Sequence, residues 1–158
     1  MDLKNELWDF ALEFYQQPEI EAFCLSLQEQ YGLSINRLIF SSWCGCKGLR
    51  LRQNNFSGEA AEWQNEITHP LRAVRYKVRE QKEQFPGCYQ KLRQAELACE
   101  QVELALLYDI SKGLEKAQAN AQLVEANLHS YLKSEGLEGK NTPLEPLIRT
   151  ANYFLSTK

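Results

Sequence analysis

The residues best suited to chemistry are basic side chains spaced along one stretch of the chain. Arg72, Arg75, Arg79 and Lys82 recur at intervals of three, four and three, which places them on one face of a helix. Such a row of cations favours a phosphate-rich partner, and we hypothesise RNA or a ribosome. Three more basic residues nearby extend this candidate surface: Lys47, Arg50 and Arg52.

A competing interpretation uses the same charges inside the molecule. Glu96, Glu100 and Glu103 form an acidic face on the next predicted helix. If the chain turns back at the Pro-Gly pair of residues 86–87, the basic helix lies beside this acidic face. We favour internal Arg–Glu pairing over a free ligand surface, although exposed pairs of this kind contribute only about 0–1 kcal/mol each.

Two shorter motifs carry residue types that bind metals. Cys44 and Cys46 are separated by one glycine, but a structural zinc site needs four ligands and the sequence has no second such pair. Glu66 and His69 form a Glu-x-x-His unit, which di-iron bundles use twice, and the other histidine, His129, does not complete a second unit. We therefore predict no metal and no cofactor.

A small pocket is the remaining candidate site. Trp8, Asp9, Asn36 and Trp43 combine large aromatic rings with two polar groups. Aromatic residues at helical spacing usually belong to the core, and the alternative is that these four residues line a pocket. The sequence lacks the P-loop, dinucleotide-binding, nucleophile-elbow and zinc-protease motifs, so we do not expect an enzyme.

The elements that position these residues are predicted to be helices. Glycine and proline are few, at 8 and 5 residues, and apolar residues follow helical spacing. We predict an all-α, single-domain bundle of six or seven helices spanning residues 1–158. Residues 1–56 form compact N-terminal helices, residues 57–133 form long helices, and residues 142–156 form a terminal helix after a loop at 134–141.

The third predicted helix is the centre of the bundle. Ser34 is suited to cap its start, and Gly48 is suited to end it. Its apolar residues, from Leu38 to Cys44, point in nearly every direction, which is typical of a buried helix. In the next helix, Pro70 predicts a kink or a restart.

Residues 88–133 carry one long apolar stripe with alternating steps of three and four. This pattern is typical of a helical hairpin or of one very long helix. Ser111, Lys112 and Gly113 form a possible turn, and we favour a break there because an unbroken helix of 45 residues would run roughly 68 Å. We therefore expect a long C-terminal hairpin that protrudes from the bundle.

The charge distribution and the cysteines indicate where the protein acts. Net charge is −3, but residues 47–82 contain eight basic and four acidic residues, the one segment that favours an anionic partner. Five cysteines is an odd number, and the sequence contains neither a recognisable signal peptide nor a membrane span. We expect a cytoplasmic protein that does not enter a membrane.

The first two thirds of the chain resemble a known family. Residues 7–12, Leu-Trp-Asp-Phe-Ala-Leu, are followed by Tyr15, Pro18, Cys24-Leu25, Leu27-Gln28 and Tyr31-Gly32. Together with Trp63, residues 70–72, Arg75, Glu96 and Glu100, they are similar to a bacterial family of unknown function, over residues 3–110. The resemblance implies a bacterial cytoplasmic source and implies no activity.

Three functional hypotheses follow. The preferred one is a non-enzymatic protein-interaction module or adaptor that contacts a protein partner, or a second copy of itself, through the hairpin of residues 88–133. The second is an RNA- or ribosome-associated factor that uses residues 47–82. The third is a small-molecule-binding protein or enzyme with a pocket near Trp8 and Trp43.

Overall fold

The computed structural model of the chain describes residues 1–137 and 142–156. These residues form a single-domain helical bundle, as predicted. The helices are α1 (Glu6–Tyr15), α2 (Ile20–Tyr31), α3 (Ile35–Lys47), α4 (Glu59–Trp63), α5 (His69–Arg79), α6 (Pro86–Ser111), α7 (Ala121–Ser134) and α8 (Glu145–Ser156). None of the helices in the described ranges is both long and apolar enough to cross a membrane.

Three short elements complete the fold. A 3-10 turn, Gln53–Phe56, precedes α4, and a π-helical turn, Gln64–Thr68, joins α4 to α5. Strands β1 (Leu49–Arg50) and β2 (Glu115–Lys116) pair antiparallel, with Leu49 opposite Lys116. This small ladder was not predicted, because two residues are too few to show strand alternation in a sequence. Residues 138–141 of the predicted loop lie outside the described residues.

Helix α3 is the central element, as its sequence predicts. The Ser34 side chain accepts a hydrogen bond from Arg37 N, and Gly48 ends the helix with a φ of 72°. Every residue from 37 to 46 is buried. The helix is surrounded by α1, α2, α6, α7 and α8, so the core lies around it.

Helix α7 crosses α3 at very short range. A Cβ atom added to Gly45 would lie 2.6 Å from the Cα of Val124, so only glycine allows this approach. Asn127 stabilises the same crossing, because its side chain accepts from Leu51 N at 2.8 Å and donates to Leu49 O at 2.9 Å. The interface between α3 and α7 therefore determines how closely the bundle packs.

The C-terminal hairpin differs from the prediction. The expected break is confirmed, because α6 ends at Ser111, but α7 then packs on α3 instead of running back along α6. Helix α6 forms its long antiparallel contact with α5, which packs mainly on α6 and on the π turn. The hairpin is therefore formed by residues 69–97, here called the arm. It comprises α5, the turn at 80–85 and the first half of α6.

The π turn explains how the chain enters the arm. Proline lacks an N–H group, so Pro70 cannot donate the hydrogen bond that would continue a regular helix. The N–H of His69 instead bonds to Gln64 O, five residues back. The predicted irregularity at Pro70 is thus present as one wide turn in a helical path from Glu59 to Arg79.

Candidate functional site: the arm, its charged network and the cavity at its base

Arginines of α5 pair with glutamates of α6, as the internal-pairing interpretation predicts. Arg72 Nε lies 2.6 Å from Glu96 Oε1, and Arg72 Nη2 lies 3.1 Å from Glu100 Oε1. Arg75 also donates to Glu96 through Nε, and its Nη1 lies 3.1 Å from the Tyr89 hydroxyl. These contacts consume two of the four cations first considered for a ligand.

The network shifts the titration of its two carboxyl groups in opposite directions. Burial by itself raises the pKa of Glu96, but hydrogen bonds from Arg75 and Arg72 outweigh burial and hold that pKa below its ordinary value. Burial also raises the pKa of Glu100, and Arg72 offsets it only in part. Glu96, which both arginines contact, is therefore the more acidic of the two carboxyl groups.

Glu103, predicted to face the basic helix, instead pairs with α3. Its Oε2 lies 2.7 Å from Arg37 Nη1, and both residues are only 2% exposed. Asn36 donates to Glu103 Oε1 at 2.7 Å and to Glu100 O at 3.2 Å. The α6 carboxylates therefore link the arm to the core helix through one continuous polar network.

Arg37 is the member of this network that the sequence interpretation missed. It lies in a helix whose apolar residues point in nearly every direction, and it is one of only two basic residues among the first 46. A lone arginine in such a helix is a signal, because a buried charge needs a partner. The sequence does not show which acidic residue supplies that partner.

The other predicted cations divide into two groups. Lys47 lies 3.6 Å from Glu6, and Arg52 lies 2.6 Å from Glu115, beyond the C-terminal end of α6. Arg72, by contrast, pairs with Glu96. At 1.5 Å per residue, the helix axis runs roughly 22 Å from Glu96 to the C-terminal end of α6. The structure therefore does not join residues 47–52 and 72–82 into one basic surface, and Arg50 is half-buried in β1.

Five cations of the arm have no ion-pair partner among residues 1–137 and 142–156. The Arg79 guanidinium lies over the Tyr76 ring, 4.6 Å from its centroid. Of the predicted site residues, Arg79 and Lys82 belong to this group. The complete set is Lys77, Arg79, Lys82, Lys91 and Arg93.

Large apolar side chains are exposed on the same arm. Val74 and Leu97 expose 45% and 51% of their surface, and Tyr76 and Phe85 expose 43% and 50%. Most residues of the turn and of the flanking helix ends are exposed too. The arm thus combines free positive charge with unburied apolar area.

The four residues of the predicted pocket lie in different surroundings. Trp43 is buried, with its ring 5.7 Å from that of Tyr108, and Trp8 packs partly buried against the core. Asp9 is exposed, and Asn36 belongs to the charged network. Neither of the cavities described below is lined by any of these four residues.

The short motifs have structural surroundings. Cys44 is buried in α3, and burial raises the pKa of its thiol well above the ordinary value. Cys46 is also buried, with its sulfur 3.5 Å from Ala151 O. Glu66 is exposed, and no cluster of three or more metal-binding side chains occurs within the described part of the chain.

A cavity of about 260 Å³ lies beside Arg37 at the base of the arm. Its walls come from α3, the 3-10 turn, α4, the π turn and α7. The lining residues are Gly32, Ser34, Arg37, Phe56, Ala61, Gln64, Asn65, His69, Tyr131 and Glu135. A second, wider groove shares Phe56 and Glu135 and continues along the 3-10 turn. Sequence patterns did not indicate this cavity, because its residues are contributed by distant segments.

The fold and these sites define a class: an all-α single-domain protein with a basic arm and a small polar cavity. The chain belongs to the protein family of unknown function DUF2390, whose family model matches residues 6–107. That range contains α3, the charged network and the whole arm. No curated protein matches the chain, and no solved structure does.

Proposed function

We propose that the protein is a non-enzymatic interaction module that binds an acidic protein partner through the arm. The observation that carries this proposal is the presence of unpaired cations beside exposed apolar side chains on the same two helices. A protein interface typically has an apolar centre and a charged rim, and the arm offers both kinds of side chain.

The sign of the partner's charge follows from the ion pairs. Residues 69–93 contain seven basic and two acidic residues. Arg72 and Arg75 are neutralised within the molecule by Glu96 and Glu100. The remaining basic residues still outnumber Glu80 and Glu83, so a complementary surface is acidic.

Exposed aliphatic residues favour a protein over RNA. Tyr76 and Phe85 could stack on unpaired bases, and this keeps RNA as the second candidate. The exposed aliphatic side chains of Val74 and Leu97 cannot stack on bases, whereas the surface of a protein partner can bury them.

The cysteines and the resemblance support a bacterial cytoplasmic setting, which we propose as part of this function. Cys24 and Cys44 are buried and form no disulfide, as is usual for cysteines in a reducing compartment. The resemblance of the sequence implies a bacterial source. The partner is therefore expected among cytoplasmic proteins.

Affinity capture with matched variants tests the proposal. The wild-type chain should capture an acidic protein, and both Leu97→Ser and the charge reversal of Lys77 and Arg79 to Glu should lose it. Leu25→Ser and Lys116→Glu are the controls, because Leu25 is 46% exposed away from the arm and Lys116 is exposed in β2. Both controls should retain the partner.

Three results would overturn the proposal. Loss of capture after nuclease treatment would identify RNA as the partner. Equal loss in the Leu25→Ser control would show that the arm is not the binding surface. Light scattering that shows a dimer of the wild type and a monomer of Leu97→Ser would make a second copy the occupant of the arm.

A further inference from the structure

We propose that the cavity beside Arg37 binds a small organic carboxylate. This inference does not depend on the function proposed for the arm. The cavity is separate from the exposed apolar side chains at 74, 76, 85 and 97, and none of its lining residues contributed to that proposal.

Arg37 supplies the first reason. Its side chain is buried, and its Nη1 donates to Glu103 at 2.7 Å. Its Nη2 has no hydrogen-bond partner among the described residues. A buried guanidinium with unused N–H groups is costly. Because Arg37 is one of the lining residues, a small shift of its side chain would bring Nη2 to an acceptor oxygen in the cavity.

Tyr131 supplies a second donor on another wall. Its hydroxyl oxygen accepts a hydrogen bond from Ser34 N at 2.7 Å, and no acceptor for its own proton is found among the described residues. Burial raises the pKa of this hydroxyl, so it stays protonated at neutral pH. Arg37 and Tyr131 together offer hydrogen-bond donors suited to the two oxygens of a carboxylate.

The π turn is an independent indication of a site. Such turns are rare and are frequent at functional sites. This one contributes Gln64 and Asn65 to the cavity wall, and His69 follows directly after it. In addition, the Thr68 hydroxyl in this turn is buried without a hydrogen-bond partner in the described structure.

The unused hydrogen-bonding groups at the cavity are donors, which favours a ligand with acceptor oxygens over a cation. The acidic residue in the lining, Glu135, is exposed at the edge of the cavity. Glu103 does not line the cavity and is engaged by Arg37 and Asn36. Burial lowers the pKa of His69, and the charges of Arg72 and Arg37 lower it further against an opposing contribution from Glu103, so the imidazole adds no positive charge at neutral pH. The unused donors of Arg37 and Tyr131 are therefore suited to the oxygens of a carboxylate.

The size and the apolar wall limit the ligand. A volume of about 260 Å³ lies just below the usual range of small-molecule sites, roughly 300–1,000 Å³. Phe56 and Ala61 form an apolar part of the lining. The expected ligand is therefore a compact acid with a short hydrocarbon part.

Titration by two-dimensional NMR tests the inference with defined probes. Acetate, propionate and butyrate are compared with their primary amides and with inorganic phosphate. We expect the carboxylates to shift the backbone signals of Ser34, Gln64, Asn65 and Tyr131 saturably. The amides, which lack the charge, should bind about tenfold more weakly or not at all.

Variants locate the site. Ala61→Leu fills the cavity and should abolish the saturable shifts, whereas Ala98→Leu, at an exposed position of α6, should leave them unchanged. Tyr131→Phe should weaken binding by about tenfold, the value of one charge-assisted hydrogen bond. If Tyr131→Phe does not fold, Gln64→Leu replaces it, since Gln64 is a half-buried lining residue.

The inference would be overturned by any of three outcomes. The first is the absence of saturable shifts with every carboxylate. The second is the same affinity in Ala61→Leu as in the wild type. The third is a preference for phosphate or for the amides, which would assign different chemistry to the cavity.

Discussion

Arg–Glu pairs connect α6 to both α3 and α5, but their surroundings differ. Arg37 and Glu103 are each 2% exposed, inside the bundle. The side chains of Arg72 and Glu100 are 21% and 29% exposed, near the base of the arm. A pair in the interior is expensive to break because the remaining charge stays buried, whereas water compensates a broken pair near the surface.

Apolar residues show the same contrast. Every residue of α3 from 37 to 46 is buried, whereas the arm leaves Val74, Phe85 and Leu97 about half exposed. Burial of apolar area is the main source of stability, so α3 carries much of the folding free energy. The arm contributes less to folding, and its exposed apolar side chains are the ones that we propose to contact a partner. Four predictions test this division.

The largest effect is expected for Glu103→Gln. Removing the carboxylate leaves the buried Arg37 without its counter-charge, which should lower the free energy of unfolding by about 3–5 kcal/mol. Urea denaturation followed by circular dichroism measures this change. Glu115→Gln is the matched control, because its partner Arg52 is 64% exposed, and the expected loss there is about 0–1 kcal/mol.

A double variant distinguishes the loss of the ion pair itself from the cost of leaving one buried charge without a partner. Replacing Arg37 and Glu103 together by Leu removes both charges, and a buried pair replaced in this way is often no less stable. We therefore expect the double variant to recover most of the loss. Equal stability of Glu103→Gln and Glu115→Gln would show that α3 and the exposed surface do not differ as described.

The next effect belongs to the base of the arm. Glu96→Gln weakens the hydrogen bonds from Arg72 and Arg75, and we expect a loss of roughly 1.5–3 kcal/mol at neutral pH. Because the pKa of Glu96 is lowered in the folded state, its contribution is present above the ordinary carboxyl pKa of 4.5. It disappears as the pH falls through the lowered value.

Unfolding measured from pH 7 down to pH 3 should therefore show the two stability curves converging in acid. Glu100 has a raised pKa and titrates with the opposite sign, and because the charge of Glu96 contributes to that rise, the substitution also lowers the pKa of Glu100. A difference between wild type and Glu96→Gln that stays constant with pH would contradict the assigned ion pairs.

A smaller effect tests the contact between α3 and α7. Gly45→Ala places a methyl group against the Val124 backbone, and such overpacking costs about 1–3 kcal/mol. Gly87→Ala is the control near the start of α6, where an added Cβ meets nothing within 4 Å. That control should be neutral or slightly stabilising in thermal unfolding, and a similar loss in both variants would refute the argument from contact distance.

Local patterns in the sequence were sufficient for a large part of this structure. Ser34 caps the start of the central helix and Gly48 ends it, and the break after Ser111 was expected from the turn residues there. The pairing of the α5 arginines with Glu96 and Glu100 followed from a simple reversal of the chain. All of these features depend on residues that are near in the sequence or related by one turn.

Long-range contacts account for what the sequence did not predict. Arg37 and Glu103 are separated by 66 positions, and the cavity joins α3, the π turn and α7. The Asn127 side chain bonds to the backbone of Leu49 and Leu51, and backbone groups carry no sequence signal. The apolar stripe of α7 is compatible with packing against α6 in a hairpin or against the core. The close approach of Val124 to Gly45 shows that it packs against the core.

The smallest effect is expected at the exposed apolar surface. Leu97 and Leu107 lie on the same helix, but Leu97 is 51% exposed and Leu107 is fully buried. Leu97→Ala should change the free energy of unfolding by no more than about 0.5 kcal/mol, as is usual for surface substitutions. Leu107→Ala should cost about 2–5 kcal/mol through lost burial and a cavity. Urea denaturation of both variants gives the comparison directly, and a large loss from Leu97→Ala would mean that the arm surface serves folding rather than binding.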